Sequence, residues 1–292
     1  MDVRRAAVAG TWYPGSAQAL VSAVDRHLAG ATHDVDGDLV ALIAPHAGLI
    51  YSGPVAAHAY RLLRERTFDV AVIIGPSHFV DFDGVAAPSA RAFETPFGVT
   101  PLDAGVVDAL VRQGGVVREH ANAHVREHSV EMQLPFLGRL APGVPIVPLV
   151  MGHQTRETAV ATADALASVL RGRKALLVAS TDLSHYHDAT TAARLDAVVL
   201  DRVASFDADG LQQALERQPE HACGGGPTVA VMLTAKRLGA RDSVVLDYAD
   251  SGDVSGDKSR VVGYMAAAIG TFPDVTQSGV VQAFRPASGD DD

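Results

Sequence analysis

An α/β fold, with a central mostly parallel or mixed sheet flanked by helices, is what this sequence predicts. Two observations carry the class. Short continuous apolar runs of the kind that buried parallel strands show recur along the chain, and helical periodicities fill the intervals between them. A third observation bears on function, because one run after another ends on a histidine.

Taken in order, Ser16 can cap a helix over "AQALVSAVDRHLAG" (17–30), whose apolar residues keep helical spacing until Gly30 stops it. "ATHDVDGD" (31–38) follows as a polar loop. "LVALIAP" (39–45) reads as the first buried strand and runs into His46. "VAVIIGPSH" (70–78) ends on His78 behind a Gly75-Pro76 turn, "IVPLVMGH" (146–153) ends on His153, and "ALLVASTDLSH" (175–185) ends on Asp182 and His185. Between and after them, "RETAVATADALASVL" (156–170) and "AARLDAVVLDRVASF" (192–206) have helical patterns. "PTVAVMLTAKRLGA" (227–240) is a further helix with Pro227 in its first turn, entered through "ACGGG". With no internal repeat and no dividing linker, residues 1–272 are expected to form one domain and 273–292 a loosely ordered acidic tail.

Composition narrows the function. The 292 residues are 48% hydrophobic, enough for a sizeable core. A formal charge of −10 and no basic run argue against nucleic acid as a partner. No stretch approaches the roughly 18 apolar residues of a membrane helix, and the N-terminal apolar stretch is too short for a signal core, so a cytoplasmic location is expected. The one cysteine, Cys223, forms no internal disulfide and is left as a packed hydrophobe, a nucleophile or a ligand.

Ligands of open α/β sheets bind outside the carboxyl ends of the strands, where His46, His78, Asp182 and His185 all fall. Two histidines with one anionic ligand are a recurring arrangement for a reactive metal, and Cys223 in "HACGGGPT", before a helix start that favours thiolate, is a candidate third ligand. The same glycines also read as an anion cradle, without the lysine and spacing of a P-loop. A competing motif is "HVREH" (124–128), an H-x-x-E-H inverted-zincin pattern in which His124 and His128 hold zinc and Glu127 acts as base. Pro135 leaves room for only a short helix there; the alternative keeps His128 and Glu131 on the rim of the strand-end site.

"AGTWYPG", "APHAGLIYSGPVAAHAY", "IIGPSHF", "FETPFG", "EHSVEMQLPFL", "STDLSHY" and "ACGGGP" stand in the order and approximate spacing of the Memo family, named for mediator of ErbB2-driven cell motility, and the resemblance covers about residues 5–270. It implies a fold similar to the class III extradiol dioxygenases. It also implies His46, His78 and Cys223 as metal ligands, Asp182 and His185 lining the pocket with His185 as acid/base, and Trp12 and Tyr51 as an aromatic rim where peptide segments are received. The cofactor implied is Fe(II), with Cu or Zn as other ions that these ligands accept. A functional link to radical-SAM proteins comes with the resemblance. Some family members carry a second histidine after the "GPSH" one; here Phe79 stands instead.

Two functions are therefore expected to compete: an iron-dependent, dioxygenase-like oxidoreductase acting on a small molecule, and a non-catalytic module that sequesters metal or binds a peptide. They differ in whether the pocket keeps an open coordination position and a proton shuttle.

Overall fold

The computed structural model describes residues 2–273; apart from Pro273, the tail expected over 273–292 lies outside them. In chain order the first half holds β1 (Val3–Arg4), α1 (Ala17–Gly30), β2 (Asp38–Ala44), α2 (Leu49–Arg61), β3 (Val70–Pro76), β4 (Val85–Ala87), β5 (Ala92–Thr95), β6 (Gly98–Pro101), α3 (Ala104–Arg112), β7 (Val117–Glu119), α4 (Ala121–Val125) and α5 (Leu134–Leu140). The second half adds β8 (Ile146–Met151), α6 (Arg156–Val169), β9 (Ala175–Ser180), β10 (His185–His187), α7 (Ala189–Ala204), α8 (Ala208–Arg217), α9 (Gly225–Arg237), β11 (Asp242–Asp250), α10 (Gly252–Ser255) and β12 (Val261–Thr271).

The expected mixed sheet is present. Nine strands form it, in the order β10-β12-β2-β9-β3-β8-β4-β7, with β11 on the other side of β12. Its middle is the parallel set β2-β9-β3-β8, which carries the four apolar runs read from sequence. Every residue of β3, β8 and β9 is buried, as expected for strands covered on both faces. Parallel register aligns the carboxyl ends of these strands, so the residues that follow them emerge on one edge of the sheet. A small sheet, β1-β5-β6, anchors the N-terminal segment beside that edge.

Helix α1 starts where the sequence places it, with the Ser16 hydroxyl accepting from the Ala19 amide at 3.4 Å. The strand ends fall short of the histidines, because Ser77, His78 and Thr181–Ser184 have already left the ladder. Helix α9 starts two residues before Pro227, drawing Gly225 and Gly226 into its first turn.

Several elements carry no helix or strand signal in the sequence, among them α2, β11 and β12. Helix α2 holds Pro54 inside it, normally a breaker. Its Gly53 meets α1 so closely that a Cβ would lie 2.8 Å from the His27 ring, and this packing holds the helix. Strands β11 and β12 pair antiparallel over eight registered positions, and β12 also pairs with β2, so tertiary pairing rather than local propensity makes them strands. Among the described residues no helix is long and apolar enough to cross a membrane.

Candidate metal centre

Strand β2 ends at Ala44 and delivers His46 to the sheet edge, where the side chain is buried. Its main-chain N–H donates to Asp182 Oδ1 at 2.7 Å, and its Nδ1 lies 2.9 Å from Ser180 Oγ. The Ser180 hydroxyl spends its only proton on the Ser129 carbonyl at 2.6 Å and accepts from Gln133 Nε2 at 2.8 Å. Toward His46 it must therefore accept, which puts the imidazole proton on Nδ1 and leaves Nε2 with a bare lone pair.

His78 is oriented by a different device. After Gly75-Pro76 the chain turns, and Glu127 takes both the His78 N–H, at 2.7 Å, and Nδ1, at 2.9 Å. The same carboxylate accepts from the His128 and Ser129 amides, each at 2.8 Å. Burial opposes its ionisation, yet these donors with the His78 imidazole hold its pKa down to about 2. An ionised Glu127 can only accept, so His78 also carries its proton on Nδ1 and offers Nε2. Gly75 is required by the close approach of this clamp, since a Cβ there would lie 2.4 Å from Ser129 Oγ.

His128 completes the group. Its ring stacks on His78 at 4.5 Å between centroids, and the Trp12 ring covers it at 4.3 Å. One nitrogen from each of His46, His78 and His128 lies within 4.8 Å of the other two. Burial first, then the neighbouring His78, lowers the His128 pKa to about 4, and burial lowers that of His46 well below its ordinary value. His46 and His128 stay neutral at physiological pH. That is the state a metal ligand needs, and the hydrogen-bonded Nδ1 of His46 and His78 is the usual outer support of such a ligand. The donor set thus fits a transition metal.

Cys223 adjoins the cluster without standing among the three. Its Sγ is 3.3 Å from His46 Nε2 and accepts from the Asp182 amide at 3.3 Å. Packing around the sulfur, and the Asp182 carboxylate, push the thiol above its ordinary range. Asp182 is buried, with Oδ2 4.0 Å from His46 Nε2. Burial raises its pKa to about 7, against the pull of the His46 and Ala47 amides. His185, at the start of β10, is half-buried and its pKa is lowered, chiefly by burial. Trp12, Tyr51 and Phe79 are exposed, and the Arg126 guanidinium lies 4.7 Å from the Phe79 ring centre.

Two readings of the sequence do not survive the geometry. Glu131 is not on the rim: it is fully buried, with its oxygens taken by Arg4, by the Ala7 and Val8 amides at 2.8 and 3.0 Å, and by Tyr13 Oη at 2.7 Å. It ties the N-terminal segment to the edge of the sheet. The inverted-zincin face does not form either, because α4 ends at Val125 and His128 lies beyond it. His124 turns away from the cluster, donating from Nε2 to the Ala86 carbonyl at 3.0 Å beside Phe93, while Glu127 serves His78. Sequence reasoning offered His128 as a zincin ligand or a rim residue and Glu127 as a zincin base, neither as part of a cluster with His46 and His78; Ser180 and Gln133 gave no signal at all.

A family model described as Memo-like protein matches residues 4–268. The chain belongs to the Memo-like family. Relatives of this Memo-family chain include a MEMO1 family protein of Methanopyrus kandleri, 38% identical over 275 residues that cover 90% of this chain and 97% of the relative. Another, from Methanosarcina mazei, is 38% identical over 269 residues covering 91% and 98% respectively. Among solved structures, an uncharacterized protein from Escherichia coli K12 shares the fold with a TM-score of 0.52 and 15% identity, covering 78% of this chain and 99% of that one. The match spans every residue of the histidine cluster in this Memo-family chain, and Cys223, Asp182 and His185 with it.

Proposed function

We propose that the strand-end pocket binds a single transition-metal ion and turns it to redox use on a small molecule or peptide that enters past Trp12 and Tyr51. The observation that carries this reading is the convergence of three imidazoles, one nitrogen of each within 4.8 Å of the other two, with Nδ1 of His46 and of His78 held by hydrogen bonds. His46, His78 and Cys223 would hold the ion, with His128 beside them. Iron(II) is the metal proposed first, and copper or zinc are the others that such donors accept. When bound, iron(II) supplies electron transfer and positions open to a ligand.

The chain's own groups do the rest. Asp182, with a pKa near 7, exchanges a proton at neutral pH, and its fixed place against the His46 and Ala47 amides aims that proton into the pocket. His185, held neutral by burial, accepts a proton from a bound ligand. Trp12 closes one side of His128 and keeps water from that face.

A second reading, retention of metal without turnover, is favoured by one observation: Cys223 Sγ stands 3.3 Å from the bare Nε2 of His46, so four donors can close the shell. Elemental analysis of untagged protein purified without oxygen tests both readings, and about one ion per chain is expected, as for a mononuclear site. A His46→Ala/Cys223→Ser variant should lose it. Equal occupancy in the variant and the wild type overturns both. His185→Ala should keep the metal, and loss of oxidation of a catechol-type ligand in that variant separates turnover from retention.

A further inference from the structure

Away from the strand-end centre, the last turn of α2 brings two histidines together. His58 Nδ1 lies 2.8 Å from His33 Nδ1, with 4.9 Å between the ring centres and 53° between the ring planes. Three elements fix the pair. His58 and Arg61 stand three residues apart on one face of the helix. Arg61 grips the loop after α1, donating from Nε and Nη2 to the two Asp34 oxygens at 3.1 Å each and from Nη1 to the Ala31 carbonyl at 3.0 Å. His33 is therefore anchored on both sides. Strand β11 supplies the third element: its register shifts between Val245 and Asp247, and the bulge leaves Asp247 Oδ2 3.7 Å from His58 Nε2.

A hydrogen bond between two Nδ1 atoms needs one donor and one acceptor, so one ring is already a neutral imidazole with its lone pair toward its neighbour. A metal ion in place of the shared proton takes both lone pairs. At a metal–nitrogen distance of about 2.0–2.1 Å, two ligands at a right angle stand about 2.9 Å apart, and two at the tetrahedral angle about 3.4 Å. The observed 2.8 Å fits the right angle, which belongs to tetragonal copper(II) and nickel(II) rather than to zinc. Asp247 then faces the Nε2–H of His58, the carboxylate support that ligating imidazoles usually have. His33 is exposed, so its ring can tilt to bring both lone pairs onto the ion, and water fills the remaining positions.

We propose that His33 and His58 form a second metal site, which takes copper(II) or nickel(II) through both Nδ1 atoms with Asp247 behind His58. It shares no residue with the strand-end centre and stands or falls without it. Only two side chains hold the ion, so it exchanges with solvent and adds nothing to the ion kept through purification.

Copper(II) titrated into the untagged full chain and followed by electron paramagnetic resonance tests the assignment, with the His46→Ala/Cys223→Ser variant run in parallel. That variant should still give a tetragonal copper signal coupled to two nitrogens. Adding His33→Gln, at an exposed loop position, should abolish the signal, and adding His58→Gln should do the same. Asp247→Asn should weaken binding about tenfold, as when the outer carboxylate of a ligand histidine is lost. If His58→Gln fails to fold, His33→Gln decides alone. A signal unmoved by His33→Gln means an adventitious ion only and overturns the proposal. So does a signal already lost in His46→Ala/Cys223→Ser, which puts the ion at the strand-end centre, and so does the absence of nitrogen coupling.

Discussion

Replacing Glu127 with glutamine removes one negative charge and one acceptor from beneath the histidine cluster, and its cost can be worked out from the contacts. The carboxylate accepts four N–H groups: Oε2 takes the His78 amide at 2.7 Å, and Oε1 takes His78 Nδ1 and the His128 and Ser129 amides at 2.8 to 2.9 Å. A glutamine has a single oxygen. In its better orientation that oxygen keeps the three donors at the Oε1 position, and the NH₂ then faces the His78 amide donor to donor. One charge-assisted bond, worth about 1.5–3 kcal/mol, is lost and three become neutral ones at about 1 kcal/mol each, a loss of about 5 kcal/mol. Linkage gives a smaller figure of the same order: a carboxyl held at about pKa 2 instead of 4.5 favours the ionised folded form by about 3 kcal/mol. Urea unfolding of metal-free protein at pH 7 measures it. A Glu127→Gln midpoint equivalent to wild type within about 0.5 kcal/mol would refute the clamp. The same variant should bind zinc about 10- to 100-fold more weakly, as expected when an outer partner of a ligand histidine is lost.

Two further predictions follow from buried groups around the site. Burial lowers the His124 pKa to about 4, so between about pH 4 and 6.5 the unfolded chain binds a proton there and the folded chain does not. That contribution to stability is complete above 6.5 and lost as pH falls toward 4. From pH 7 to pH 5 the wild type should therefore lose about 2 kcal/mol relative to His124→Gln, and parallel denaturation profiles for the two would contradict it. Arg4 neutralises the fully buried Glu131 and donates from Nε to the His124 carbonyl at 2.9 Å. Arg4→Ala leaves that carboxylate unpaired and should cost about 3–5 kcal/mol in denaturant unfolding, and a loss below about 1 kcal/mol would contradict the anchoring role.

The parallel centre of the fold was legible because β2, β3, β8 and β9 are buried on both faces and must be written as unbroken apolar runs. For the same reason His46, His78, Asp182 and His185 could be assigned to one edge: parallel strands bring their carboxyl ends together whatever joins them. His128 follows no strand. It reaches the cluster because Glu127 folds the segment after α4 back onto His78, a partnership 49 residues apart that spacing does not encode. Strand β12 escaped notice because its centre, Met265–Ala268, is rich in alanine, a poor strand former, and is held by neighbours on both sides. Pro54 similarly concealed α2, whose close packing on α1 through Gly53 compensates for the broken ladder.

X-ray absorption at the zinc edge of the zinc-loaded chain tests the central claim, a single-ion centre built from these side chains, most directly. The account predicts imidazole nitrogens at about 2.0–2.1 Å and one sulfur at about 2.3 Å, with both signals lost in the His46→Ala/Cys223→Ser variant. An oxygen-only shell, or an unchanged spectrum in that variant, would contradict it.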